Sequence, residues 1–397
     1  MMIFTMSCVS RSPVGRTKGK DLMQQKRNTA PLNIGFIGGA YNSAVGYAHS
    51  VACQLDGTWK LVSGCFSRDA TKSLDTGSYW QIPPELIYHD WRQYIAQQAA
   101  NLDAVVVLTP TPDHEQVVCE LLEAGIAVIC EKALTATIEQ SKSIQHTLNK
   151  TKGFLAVTFN YSGYPMLRVL KKHVEAGDLG KILQVRAEMP SDGFIQEIND
   201  MSPQAWRLED GDIPTLLLDL AVHVHHISSF VTGLTPTAVN ADFNHYSVFD
   251  NIIDDANIWL KCEQNIRASY WMSKTAIGHK NGLRISVFGD KGSGHWVQEH
   301  PEQLHIFNQQ SVETIYNRGN CLFPSEIRER FKAGHPGGFI EAFANLYQDI
   351  ADALIEFKQS GKHNSPYVFG WQHAHEGLSL LDNAAKSHAQ QQWVTLD

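Results

Sequence analysis

Residues 33–46 read NIGFIGGAYNSAVG. Ile34, Gly35, Phe36 and Ile37 have the composition of a short buried strand. The strand runs into Gly38, Gly39 and Ala40 and, after a polar insert, Gly46. Residues 47–55 then have helical character. A strand that turns through glycines into a helix brings free backbone N–H groups to the helix start, where a pyrophosphate can be held. The spacing departs from G-x-G-x-x-G: Ala40 stands where the second glycine is usual, and the third is displaced to Gly46. A plain glycine turn fits this stretch nearly as well, so the rest of the chain has to discriminate.

Apolar runs recur at 61–66, 104–108, 127–130 and 154–159, with helix-like segments such as 112–124 and 135–150 between them. Short apolar strands alternating with helices predict an α/β fold with a doubly wound parallel sheet, here a Rossmann-type dinucleotide-binding domain over 31–159. Right-handed crossovers bring the loops after the strands to one edge, where ligands bind. The candidate cofactor-binding residues are therefore Gly38, Gly39, Ala40, Ser67, Arg68, Thr109, Pro110, His114, Glu131 and Lys132. Ser67 and Arg68 suit a ribose 2′-phosphate, whereas Asp69 would suit a free 2′-hydroxyl if the strand ended later. Both NAD and NADP stay open as cofactors.

Beyond residue 160 the pattern changes. After a helix over 164–176, strands are expected at 182–188, 237–243, 256–262, 266–271 and 283–288, and helices over 338–359 and near 376–390. Strands in quick succession predict an open, mainly antiparallel sheet, so 160–397 reads as a second domain. Within it lies TLLLDLAVHVHH, residues 215–226. On an α-helix Asp219 and His223 share a face, and His226 continues it one turn on. A carboxylate and an imidazole on an apolar wall suit proton abstraction from a hydroxyl. The plain alternative is a buried helix whose polar groups satisfy one another.

The 397 residues carry a net charge of −8, which argues against a nucleic-acid partner. Seven scattered cysteines with no C-x-x-C pair read as free thiols in a reducing compartment, and the cytoplasm is the expected location. No apolar run approaches the roughly 18–20 residues that a membrane span needs. Residues 1–30, basic and polar, read as a disordered extension.

Several pieces together resemble the glucose–fructose oxidoreductase/inositol dehydrogenase (Gfo/Idh/MocA) family. They are IGFIGGA at 34–40, TPTPDH at 109–114, CEKALT at 130–135, LLDLAVH at 217–223 and EGLSLLDNAAKSHAQQQWV at 376–394. The resemblance implies a Rossmann domain followed by an α/β substrate and oligomerisation domain on a large open sheet, whose outer face pairs subunits into a dimer or tetramer. It implies NAD(P)-dependent oxidation of a hydroxyl of a sugar, cyclitol or derivative, or reduction of the ketone. Lys132 matches the lysine of the family's Glu-Lys-Pro motif, with Ala133 in place of the proline, and Asp219 and His223 match its Asp-x-x-x-His pair.

The catalytic set is thus Lys132, Asp219 and His223. His223 would take the hydroxyl proton, Asp219 would orient or tune it, and Lys132 would stabilise the developing alkoxide. Substrate contacts are expected from Asn160, Tyr161, Arg168, Trp206, His226 and His335, with Tyr164 and Arg207 as further options. No metal is expected: His225 points away from its neighbours on a helix, and no second ligand group accompanies the histidines. The expected partner is a small carbohydrate-like molecule. Two other functions fit the same chain: an NAD-dependent glycosidase working by transient oxidation and elimination, and a non-catalytic dinucleotide-sensing regulator.

Overall fold

Strand β1 (Leu32–Gly38) buries Ile34, Phe36 and Ile37 completely. Strands covered on both faces need apolar side chains throughout rather than in alternation. The same holds for β3 (Ala104–Leu108), AVVVL. With β2 (Trp59–Cys65), β4 (Ala127–Cys130) and β5 (Leu155–Val157) they form a five-stranded parallel sheet in the order β2-β1-β3-β4-β5. Successive residues point to opposite faces. Val105 and Val107 join one apolar cluster with Val118 and Leu121, from the helix His114–Glu123. Ile34, Phe36 and Val106 join another with Phe343, Leu346 and Ile350.

Those last three residues belong to the helix Phe339–Ser360, nearly two hundred residues downstream of β5. The helix closes the second face of the first sheet. Trp59 Nε1 donates to the Tyr347 carbonyl at 2.9 Å, and Gln348 Nε2 donates to Thr58 Oγ1 at 2.5 Å. Each fully buried Phe, Leu or Ile contributes about 1.5–3 kcal/mol, so this return is integral to the sheet's stability. Packing therefore crosses the division expected at 159/160, and Leu32–Asp397 forms a single unit.

The second sheet has nine strands. These are β6 (Ile182–Pro190), β7 (Pro236–Asn244), β8 (Asp255–Cys262), β9 (Arg267–Ser273), β10 (Arg284–Gly289), β11 (Gly292–Val297), β12 (Leu304–Asn308), β13 (Glu313–Tyr316) and β14 (Val394–Thr395). Their order is β13-β12-β11-β10-β6-β9-β8-β7-β14, antiparallel except for β6 beside β9. In β8, Ile258 and Leu260 are buried while Trp259 between them is 43% exposed. Such alternation marks a sheet with one packed and one open face. The helices Pro165–Glu175, Val222–Thr232 and Trp371–Gln390 pack against the sheet.

The computed structural model describes residues 30–195 and 203–396. The extension expected over 1–30 lies outside the described residues except for Ala30. Among the described residues no helix is long and apolar enough to cross a membrane.

Candidate active site

The glycine turn after β1 is built for close approach. Gly38 and Gly39 have φ of +84° and +70°, a region open to glycine at little steric cost. A Cβ on Gly46 would lie 2.1 Å from the Gly39 carbonyl oxygen. The displaced third glycine therefore lets the helix Ala44–Gln54 sit against the turn, capped by Ser43, whose Oγ accepts from the Gly46 N–H. Ala40 is buried beside them. On the same edge, Thr109 Oγ1 and Asn160 Nδ2 are buried with no hydrogen-bond partner among the described residues. Buried polar atoms are rarely left unpaired, and these two stand at the strand ends of the sheet, where a ligand could satisfy them. A cradle that a Cβ would fill and two unpaired polar atoms fit a dinucleotide.

At the next loop Asp69 Oδ1 accepts from the Lys72 N–H as the cap of the helix Ala70–Tyr79. Ser67 Oγ accepts from the Asp69 N–H, and exposed Arg68 pairs with Asp113. Pro110 is exposed, before the short turn Thr111–Asp113. His114 is buried. Its ring nitrogens lie 2.9 Å and 2.8 Å from the carbonyls of Ala133 and Thr109, so it braces the loops after β4 and β3 instead of facing outward. Glu131 is also turned inward. It sits 3.0 Å from His49 Nε2 and accepts from Thr158, and His49 Nδ1 lies 2.6 Å from the Tyr347 hydroxyl. Burial would raise the Glu131 carboxyl, but the His49 and Thr158 hydrogen bonds and the charges of His49 and Lys132 hold it below its usual value.

Lys132 follows Glu131, at a cis Lys132–Ala133 peptide, and reaches across to the second half of the chain. Its Nζ donates to the Asp219 carbonyl at 2.8 Å and to Asp219 Oδ1 at 3.1 Å. Asp219 also meets Arg207 at 2.7 Å and Lys274 at 2.9 Å. Burial pushes its carboxyl up, but Lys132, Lys274 and Arg207 together keep it well below the usual carboxylate range. His223 stands beside this cluster, buried, with the Tyr161 ring edge-on at 4.7 Å. Burial first and Lys132 second hold its imidazole well below 6.5, outweighing the pull of Asp219, so the ring is neutral near pH 7.

Asp219 makes no hydrogen bond to His223 among the described residues; its side chain is held by Lys132, Arg207 and Lys274. Leu217–Ala221 is a π-helical turn, and the α-helix begins only at Val222. An i→i+5 turn rotates Asp219 off the face that an α-helix would give it, toward the cations.

Other expected substrate contacts are placed differently. Arg168 is buried, donating to the Ser162 carbonyl at 2.7 Å and pairing with Asp349 at 2.5 Å over the Tyr367 ring. His226 stacks on Phe159 at 4.0 Å, with Phe369 edge-on at 4.3 Å, so it belongs to an aromatic core. His335 is exposed in a turn, where its carbonyl accepts from Arg318. Trp206 is half-buried, and the Arg207 guanidinium lies over its ring at 4.5 Å. Asn160 and Tyr161 do lie at the end of β5, and both are buried. Lys274 escaped the sequence reading. Its one signal is its place directly after β9, whose end had been set at Trp271. Among the described residues no group of three or more His, Cys, Asp or Glu gathers to hold a metal.

A glycine cradle at the edge of a parallel sheet, with Lys132 on Asp219 beside a buried imidazole, is the arrangement of an oxidoreductase of the NAD-binding Rossmann class. A family model described as an oxidoreductase family with an NAD-binding Rossmann fold matches residues 32–159, and its C-terminal domain model matches 167–295. The chain belongs to the Gfo/Idh/MocA family. It is 28% identical to an uncharacterized oxidoreductase, YfiI, of Bacillus subtilis, over 82% of this chain and 86% of that one. It is 24% identical to the levoglucosan dehydrogenase of Pseudarthrobacter phenanthrenivorans, over 82% and 95%. Among solved structures, an inositol dehydrogenase homologue from Azotobacter vinelandii, complexed with NADH and myo-inositol, superposes with a TM-score of 0.85 at 25% identity, covering 93% of this chain and 98% of that one.

Proposed function

We propose that this oxidoreductase interconverts a secondary hydroxyl and a ketone on a sugar, cyclitol or sugar derivative, using NAD or NADP. The observation that carries the reading is the meeting of Lys132 from the first sheet with Asp219 beside His223. An ammonium has three N–H donors, and Lys132 uses two on Asp219. The third is left for the reacting oxygen, where it would stabilise alkoxide character. His223, neutral, takes the hydroxyl proton in oxidation and returns it in reduction. Asp219 holds the lysine in place. Gly38, Gly39, Thr109 and Asn160 would hold the dinucleotide, whose nicotinamide supplies the hydride chemistry when bound. Ser67 and Arg68 after β2 suit a ribose 2′-phosphate and Asp69 beside them a free 2′-hydroxyl, so the reading takes in NADP as well as NAD.

The relatives' named substrates, levoglucosan and myo-inositol, make a polyhydroxylated ring the first class to test. The open face of the nine-stranded sheet, with Leu183 and Trp259 both more than two-fifths exposed, is proposed as the contact between subunits. A screen of sugars, cyclitols, uronates and glycosides with both dinucleotides, read at the reduced-cofactor absorbance, tests the function. Net reduced cofactor from a polyol supports it. Glycoside cleavage with no net reduction would instead identify an elimination enzyme.

A further inference from the structure

Three cations surround one carboxylate. Asp219 pairs with Lys132, Lys274 and Arg207, and among the described residues none of the three has a second carboxylate at ion-pair distance. Glu131, next to Lys132, interacts with that lysine from further off, so the excess positive charge rests mainly with Arg207 and Lys274. Water cannot fully screen them, because the side chains of Lys132, Lys274 and Arg207 are only 13%, 12% and 26% exposed. The rings beside them, Phe194 at 4.7 Å from Lys274 and Trp206 at 4.5 Å from Arg207, compensate weakly. Partly buried, unpaired charge is costly unless a partner arrives. Lys132 has a task at the reacting oxygen, but a neutral polyol leaves Arg207 and Lys274 with none beyond holding Asp219.

We infer that the substrate is an acidic sugar, with its carboxylate bound by Arg207 and Lys274 while its hydroxyl reacts at Lys132 and His223. The guanidinium presents a planar fork that matches a carboxylate, and the ammonium adds a point charge beside it. The Trp206 face next to Arg207 suits the C–H side of a pyranose. The inference rests on the proposed oxidoreductase reading and narrows its substrate class to hexuronates and aldonates.

The test compares D-glucuronate and D-galacturonate with D-glucose, D-galactose and myo-inositol, and with glucose 6-phosphate as the other oxyanion source. Acids should show kcat/KM at least tenfold above the neutral rings, with a preference that shrinks as salt rises. Arg207→Gln and Lys274→Gln should each cut the acid-to-neutral ratio about tenfold, mainly through KM, and Lys274→Arg should restore much of it. Melting temperature and dinucleotide affinity of each variant separate misfolding from lost recognition. Equal or better use of neutral rings, or a ratio unmoved by both variants, would overturn the inference. A preference for the phosphate ester would overturn the carboxylate assignment. Calorimetric binding of glucuronate is read independently of turnover. Tight, salt-sensitive binding that Arg207→Gln abolishes, without cofactor reduction by any compound, would uphold the anion site and reject the oxidoreductase reading.

Discussion

At Lys132 three N–H donors meet two acceptors of Asp219, and the free donor is what an alkoxide needs. Lys132→Met keeps the length of the stem and removes the donors. Its kcat/KM should fall ~10²–10³-fold, the usual cost of losing one transition-state donor, with most of the loss in kcat. Steady-state kinetics on the substrate that emerges from the screen checks this. On the proposed mechanism His223 sets the pH response. Burial and Lys132 hold its imidazole well below 6.5, so it is already deprotonated at neutral pH. Oxidation should therefore keep its kcat/KM as pH falls through 6.5, and lose it only in more acidic solution, where the ring takes a proton. A pH–rate profile whose acid limb sits at or above 6.5 would remove His223 from the role of base.

The helix from Leu217 to Thr232 carries three buried histidines in a row of four positions, His223, His225 and His226. Burial lowers His225 from 6.5 to about 4. A depressed folded pKa means that the unfolded chain binds protons first, so stability is lost as pH falls through 6.5 toward 4. For His225 the linkage amounts to about 2 kcal/mol by pH 5. The urea midpoint should drop over that window, and His225→Gln should flatten the drop, as measured by circular dichroism at pH 6.5 and 5. The same element shows what the sequence could carry. Its apolar run announced a buried helix with Asp219 and His223 at its start. A π turn follows from packing, not from any local residue, so the neighbours of Asp219 were not readable. The parallel strands were legible because burial on both faces makes them uniformly apolar. Strand β11, GSGHWV, was not, because two glycines and a histidine mimic a turn. Lys274 and Arg207 are ordinary surface residues by type, and only the fold brings them to one carboxylate.

Across the whole molecule the two sheets are joined by polar contacts as well as by apolar packing. Arg168, on the helix Pro165–Glu175, reaches Asp349 in the middle of the helix Phe339–Ser360, and Asp349 also meets Arg328 at 2.5 Å. The Arg168 guanidinium is 3% exposed and lies 4.0 Å over the Tyr367 ring. This pair ties the helix that closes the first sheet to a helix packed on the second. Breaking a buried pair on one side leaves a charge without its partner and costs about 3–5 kcal/mol. Arg328 still faces Asp349 after the loss, which places the cost at the lower end. For a chain of this size, about 3 kcal/mol corresponds to a fall in melting temperature of ~4 °C. Arg168→Met should therefore melt several degrees earlier. Below the transition, its kcat/KM per folded molecule should equal that of the parent, because Arg168 points into the packing and not into the Asp219 cluster. Thermal scans and kinetics on the same preparation decide between the two roles. A variant with unchanged melting and a raised KM would return Arg168 to the substrate site.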